Sequence, residues 1–198
     1  MSDTETIGVY DHKAKEYAEI TRRERPDPQL LEFLEAAPVG GPLLDLGSGP
    51  GAASAVMASK GRDVIAWDPS QGMIDLAAAQ PGVKAKLAGF EDLASLTPKS
   101  FAGVWANFSL LHARRSDVPR YLGDIAKALQ PKGIFHIGVK LGEGEERDSL
   151  GRFYTYFTEA ELRGLLSRSG LTPFKITFGE DRGLAGPIEP WIAILSRA

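Results

Sequence analysis

The sequence predicts an α/β fold, a mostly parallel sheet with helices on both faces. Three observations predict it. Apolar runs of strand length alternate with segments of helical spacing along most of the chain. The first run, "PLLDLG", ends in the closely spaced glycines Gly47, Gly49 and Gly51. The intervening helical segments supply the long crossovers that parallel neighbours require.

The elements follow in order. "DHKAKEYAEITRRE" is charged and helix-prone, and Tyr10, Ala14 and Tyr17 share a face, so it reads as a short leading helix. In "PDPQLLEFLEAAP", Asp27 is a candidate cap, Pro28 the first helical residue, and Leu30, Leu31 and Leu34 the apolar stripe. "PLLDLG" is a buried strand, "AASAVMASK" a helix ending near Gly61, and "DVIAWD" the second strand. "SQGMIDLAAAQ" is a helix stopped by Pro81, "VKAKLAGF" a third strand and "FAGVWANFS" a fourth. "DVPRYLGDIAKALQ" sets Val118, Tyr121, Leu122, Ile125 and Leu129 at helical spacing, with Pro131 beyond. "GIFHIGVK" is a fifth strand. Thr158 and Glu161 form a candidate capping box for a helix ending at Gly170. "PFKITFGED" and "PWIAILSR" are two further strands joined without a helix, so the last is expected to be antiparallel. The sheet therefore has seven strands.

Composition narrows the function. The 198 residues suit one domain, with residues 1–37 as an N-terminal helical cap and 40–198 as the core. The net charge is −3 and no basic block stands out, which gives no reason to expect a nucleic-acid partner. Cysteine is absent, which excludes disulfides, thiolate metal sites and a cysteine nucleophile and fits a cytoplasmic location. The N-terminus is polar, without an apolar signal core, and no apolar run has membrane-spanning length. The three histidines have no metal-ligand spacing with nearby acids, so no metal is expected.

The glycines fall where a strand turns into a helix. That position exposes backbone N–H groups and the positive end of a helix dipole, a seat for an anionic group. "GSGPGA" also satisfies the dinucleotide pattern, so glycines alone leave the cofactor open. Asp45 discriminates. A carboxylate there repels a pyrophosphate and attracts a ligand with a cation beside an anion, such as the methionine end of S-adenosylmethionine. Asp68 ends the second strand, 21 residues after Gly47, where an acid can accept hydrogen bonds from ribose hydroxyls. Capping the next helix is the alternative role for Asp68.

"LLDLGSGPG", "VIAWDPS", "GFEDL" and "GVWANFSLLH" occur in that order over about residues 7 to 140. Together they resemble the class I S-adenosylmethionine-dependent methyltransferases, which have a Rossmann-like sheet. The resemblance implies that Asp45, Gly47 and Gly49 line the methionine moiety and that Asp68 holds the ribose. It places Pro69, Met73, Phe90 and Glu91 at the adenine; where the family often has an acid, this chain has Gly89. Asn107 and Phe108 would lie beneath the sulfonium, with the cofactor-binding Ser109 following them, and Tyr10 and Tyr17 would close over the cofactor. Core packing is the alternative for Tyr10, Tyr17, Met73, Phe90 and Phe108.

The implied reaction is in-line methyl transfer to a small-molecule acceptor. Its leaving group is neutral, so catalysis rests on alignment, with a base needed only for a protonated nucleophile. His112, past the fourth strand, is the candidate base, with a structural role as the alternative. His136 reads as packed and His12 as solvated. The acceptor is expected under a helix and loop at residues 140 to 158, where Lys140, Arg147, Arg152, Tyr154 and Tyr156 suit a molecule bearing a carboxylate or a ring. Arg182 and Trp191 form a second candidate wall. "ANFS" lacks the Asn-Pro-Pro-aromatic signature of enzymes that methylate base amines, which argues against DNA as substrate. Two other readings stand beside this one: a nicotinamide-dependent oxidoreductase and a non-catalytic S-adenosylmethionine-binding protein.

Overall fold

The computed structural model describes residues 3–22, 25–183, 186 and 188–198. Arg23 and Glu24 of the leading segment, and Leu184, Ala185 and Pro187 of the last loop, lie outside the described residues. The chain runs α1 (Thr4–Ile20), α2 (Pro28–Ala36), β1 (Leu43–Leu46), α3 (Ala52–Ser59), β2 (Val64–Asp68), α4 (Gln71–Ala78) and β3 (Val83–Leu87). It continues through β4 (Phe101–Asn107), α5 (Val118–Ala128), β5 (Leu129–Lys140), β6 (Glu145–Arg147), β7 (Phe153–Thr155), α6 (Glu159–Arg168), β8 (Thr172–Arg182) and β9 (Ile188–Arg197).

Seven strands form one sheet in the order β3-β2-β1-β4-β5-β9-β8. β1 pairs in parallel with β2 and β4, and β9 runs antiparallel to both β5 and β8. The expected Rossmann-like sheet is present, with its last strand reversed. Strand order turns back between β1 and β4, and an open α/β sheet leaves a crevice at that point, beyond the carboxyl ends of its strands.

Side chains alternate between two apolar layers. Leu43 and Trp105 enter the layer under α2 and α3, with Leu30, Phe33 and Met57. Leu44, Leu46, Val104 and Ala106 enter the larger layer under α5 and α6, with Tyr121, Ile125, Leu162 and Leu166. Buried on both faces, the central strands read as continuous apolar runs.

Four boundaries differ from the sequence reading. α1 is long, starting at Thr4, because the Asp3 side chain caps it by accepting from Thr6 N at 2.9 Å. β3 stops at Leu87, and Phe90 opens a 3₁₀ turn, Phe90–Ser95. β5 begins directly after α5, with a register shift between Phe101 and Gly103 on β4 that absorbs Pro131 and Lys132. Residues 140 to 158 hold the hairpin β6–β7 rather than a helix, paired from Glu145↔Thr155 to Arg147↔Phe153. Caps at Asp27 and Thr158 form as expected, accepting from Gln29 N (2.9 Å) and Glu161 N (3.2 Å); the Glu161 carboxylate turns to Arg115 instead of completing a box.

Candidate active site

β1 delivers the glycine loop to the crevice. Gly47, Gly49 and Gly51 have φ of +72°, +53° and +81°, a conformation open to glycine at little cost. A Cβ at Gly47 would collide with Ser109, so the loop lies hard against the turn that follows β4. The loop backbone is held by β2, through Gly47 N and Ser48 N donating to Trp67 O at 2.8 and 2.9 Å.

Asp45 and Asp68 flank this loop. Asp45 accepts from Ser54 Oγ at 2.6 Å and is 3% exposed. Burial pushes its carboxyl up to about 7 against the pull of that hydrogen bond, with Asp68 nearby adding to the rise. Asp68 accepts from Gly49 N and Ser70 N, each at 2.9 Å, and burial pushes it up to about 6. Ser70, not Asp68, is the N-cap of α4, accepting from Met73 N at 3.2 Å. Both carboxylates keep further acceptor positions beyond these bonds.

Three adjacent spaces lie along the crevice. The first, about 620 Å³, is lined by Tyr10, Tyr17, Gly47, Gly49, Asp68, Pro69, Met73, Phe90, Asn107, Phe108, Ser109 and His112, all expected from the sequence. Asp3, Thr6, Ile7 and Ser70 join them. Asp3 and Thr6 continue the i, i+3/i+4 spacing of Tyr10, Ala14 and Tyr17 toward the N-terminus, the signal by which the sequence marks them, and Ile7 lies beside them. The second space, about 1260 Å³, opens beside Asp45, Gly47, Gly49 and Asn107. The third, about 1020 Å³, brings His112, Lys140, Arg152, Tyr154, Arg182 and Trp191 together, with Leu111, Asp181 and Glu189, which sequence reasoning did not single out. Tyr17 and Phe108 border all three spaces. Phe108 has φ +54°, unusual for a non-glycine residue, and its N–H donates to Gly138 O at 2.9 Å.

Three expected site residues lie elsewhere. Glu91 is exposed, because the 3₁₀ turn directs Phe90 inward; its carboxylate accepts from Tyr121 Oη at 3.0 Å. Arg147 faces α1, pairing with Asp3 at 2.7 Å and Glu5 at 3.2 Å. Tyr156 sits behind the lining, its hydroxyl donating to Glu189 at 3.3 Å.

His112 lies in a hydrogen-bonded chain. Its Nδ1–H donates to Phe153 O at 2.6 Å, so the neutral ring presents a bare Nε2, and Tyr10 Oη donates to it at 2.9 Å. Tyr10 Oη accepts from Arg152 Nη1 at 3.0 Å, and Asp148 holds Arg152 at 2.6 Å. Burial pushes the imidazole down to about 4. His136 is packed as expected, stacked on Trp105 at 3.7 Å, with Nε2–H donating to Asn107 Oδ1 at 3.0 Å. Among the described residues no helix is long and apolar enough to cross a membrane.

Comparison with known proteins follows the same outline. Residues 44–137 match the methyltransferase-domain family. The biotin biosynthesis bifunctional protein BioHC of Cellvibrio japonicus is 33% identical over 117 residues, 59% of this chain; the match spans about a quarter (23%) of that relative's length. The fold is similar to that of 1,6-didemethyltoxoflavin-N1-methyltransferase of Burkholderia thailandensis, solved with 1,6-didemethyltoxoflavin and S-adenosylhomocysteine bound. The TM-score is 0.76 at 24% identity, over 98% of this chain and 87% of that one. A SAM-dependent methyltransferase of Methanosarcina mazei gives 0.74 at 19% identity, over 87% and 97%.

Proposed function

We propose that this chain, whose residues 44–137 match the methyltransferase-domain family, is a class I S-adenosylmethionine-dependent methyltransferase that transfers a methyl group from S-adenosylmethionine to a small molecule. One observation carries the reading: two buried carboxylates flank a bare glycine loop, and the crevice beside it shares the walls Tyr10, Tyr17, Phe108 and His112 with a second cavity. Residues 40–198 form the catalytic core and residues 1–37 its cap.

The residues present fit the cofactor. Asp68 keeps acceptor positions for ribose hydroxyls, and Pro69, Met73 and Phe90 offer apolar surface for a purine. Asp45 with the backbone of Gly47 and Gly49 suits an ammonium beside a carboxylate. A Cβ at Gly49 would enter the crevice near Tyr17, whose Cε1 would stand 3.6 Å from it, so glycine keeps that cradle open. Ser109 Oγ is buried on its wall without a hydrogen-bond partner. A pyrophosphate on the glycine loop would meet the Asp45 carboxylate, which disfavours a nicotinamide dinucleotide.

When bound, S-adenosylmethionine supplies an electrophilic methyl group on a good, neutral leaving group. The protein's part is to align the nucleophile and exclude water; orientation of this kind contributes about 7–11 kcal/mol. Tyr17 and Phe108 border both donor and acceptor spaces and confine the path between them. His112, uncharged at neutral pH, can accept a proton at Nε2 once the Tyr10 hydroxyl withdraws. An acceptor that attacks unprotonated has no need of that step.

Calorimetry with S-adenosylhomocysteine and with NADH tests the reading. The first should bind and the second should not. Asp68→Ala should weaken S-adenosylhomocysteine by about tenfold or more with an unchanged circular dichroism spectrum. Unaltered affinity in that variant would remove the ribose assignment.

A further inference from the structure

We propose that the methyl acceptor is an uncharged planar ring system, aromatic or heteroaromatic, and not a carboxylate or other anion. This rests on the methyltransferase reading and narrows its acceptor. The acceptor cavity presents the rings of Tyr17, Phe108, Tyr154 and Trp191, surface that favours a flat partner in offset or edge-to-face contact. Among the described residues three cations line the same cavity, and each has a partner. Lys140 pairs with Glu189 and lies 3.9 Å from the centre of the Tyr154 ring. Arg152, 2% exposed, pairs with Asp148 and donates to Tyr10. Arg182, at the exposed rim beside Asp181, donates to Gly186 O at 3.0 Å.

Lys140 and Arg152 are thus matched by Glu189 and Asp148, and the exposed Arg182 has Asp181 as its neighbour in the chain. Inside the cavity, away from Arg182 at its exposed rim, an incoming carboxylate would have to take Lys140 from Glu189 or Arg152 from Asp148. Either exchange takes the ion-pair partner from a half-buried carboxylate, which offsets what the new pair returns. A neutral ring asks for no exchange and displaces water from ring faces. The Trp191 indole N–H, a donor only, is buried without a partner.

A matched pair of probes tests this: 2-naphthamide and 2-naphthoate share a ring and differ in charge. Both are titrated calorimetrically into protein saturated with S-adenosylhomocysteine. The expected result is naphthamide binding at least about fivefold tighter than naphthoate. Glu189→Gln releases Lys140 and should bring naphthoate level with naphthamide, while naphthamide stays within about twofold. Lys140→Met, a second variant, should leave naphthamide binding in place. Tighter or equal binding of naphthoate to the unaltered protein overturns the proposal. So does failure of both rings to bind protein that takes up S-adenosylhomocysteine, or selective loss of naphthoate in Lys140→Met. Failure of S-adenosylhomocysteine itself to bind is a separate result, read in the first titration, and overturns the methyltransferase reading.

Discussion

Asp45 and Asp68 show at residue scale how function is set against stability. Burial lifts both carboxyls above 3.8, to about 7 and about 6. The folded chain therefore holds more protons than the unfolded chain across roughly pH 4 to 7. The stability tied to these groups is full below pH 3.8 and is lost as pH rises through 6 and 7. Asp45→Asn should raise the melting temperature at pH 8, by roughly 1–3 kcal/mol of stability, and should abolish S-adenosylhomocysteine binding. A melting temperature unchanged at pH 8 would show that Asp45 is not strained by burial. Cofactor affinity has the opposite dependence, because the ionised acids are the binding form: it should weaken as pH falls from 8 to 5.5. Tyr10 and His112 form the other informative pair. The phenol donates to Nε2 and so favours the neutral ring. Tyr10→Phe should raise the His112 pKa from about 4, read by NMR titration of its ring protons.

At the scale of elements, α1 is tied at its start and in its middle to parts of the site distant in sequence. Near its start, Arg147 pairs with Asp3, and Thr6 Oγ accepts from Phe153 N at 2.8 Å. In its middle, Asp11 Oδ1 accepts from Ser70 Oγ at 2.6 Å and from Gly72 N at 3.0 Å, acting as a cap on α4 supplied from another helix. Gly72 allows the approach, since a Cβ there would stand 3.0 Å from Asp11 O. Asp11→Ala should cost about 1 kcal/mol, as caps do, and speed hydrogen exchange in both α1 and the first turn of α4. Faster exchange confined to α4 would mean that α1 is held by its other contacts alone.

For the whole molecule, the two apolar layers hold the crevice open by fixing β1 and β4 side by side. Phe33 on α2 is fully buried, lies 5.3 Å from the Trp105 ring centre, and leaves no room for a side chain at Gly103. Phe33→Ala should cost about 3–5 kcal/mol, measured as a lower urea midpoint. A loss under 1 kcal/mol would place α2 outside the cooperative core.

The order of strands and helices, the glycine loop with its two acids, and the turn after β4 could be read from the sequence, because each has a local cause. Periodicity marks which faces are buried, and glycine marks where the backbone must enter left-handed space. Glu91, Arg147 and Tyr156 were misplaced for the opposite reason. Their directions depend on a 3₁₀ turn, a hairpin and an ion pair whose partners, Tyr121, Asp3 and Glu189, are at least 30 residues away along the chain. The pairing of Lys140 with Glu189 likewise exists only because β5 lies against β9. The sequence determined by itself that the chain would make this sheet and set two acids at its crevice. Only tertiary structure decided which cations remain available in the acceptor cavity, since charge pairing across the sheet depends on distance in space and not on position in the chain.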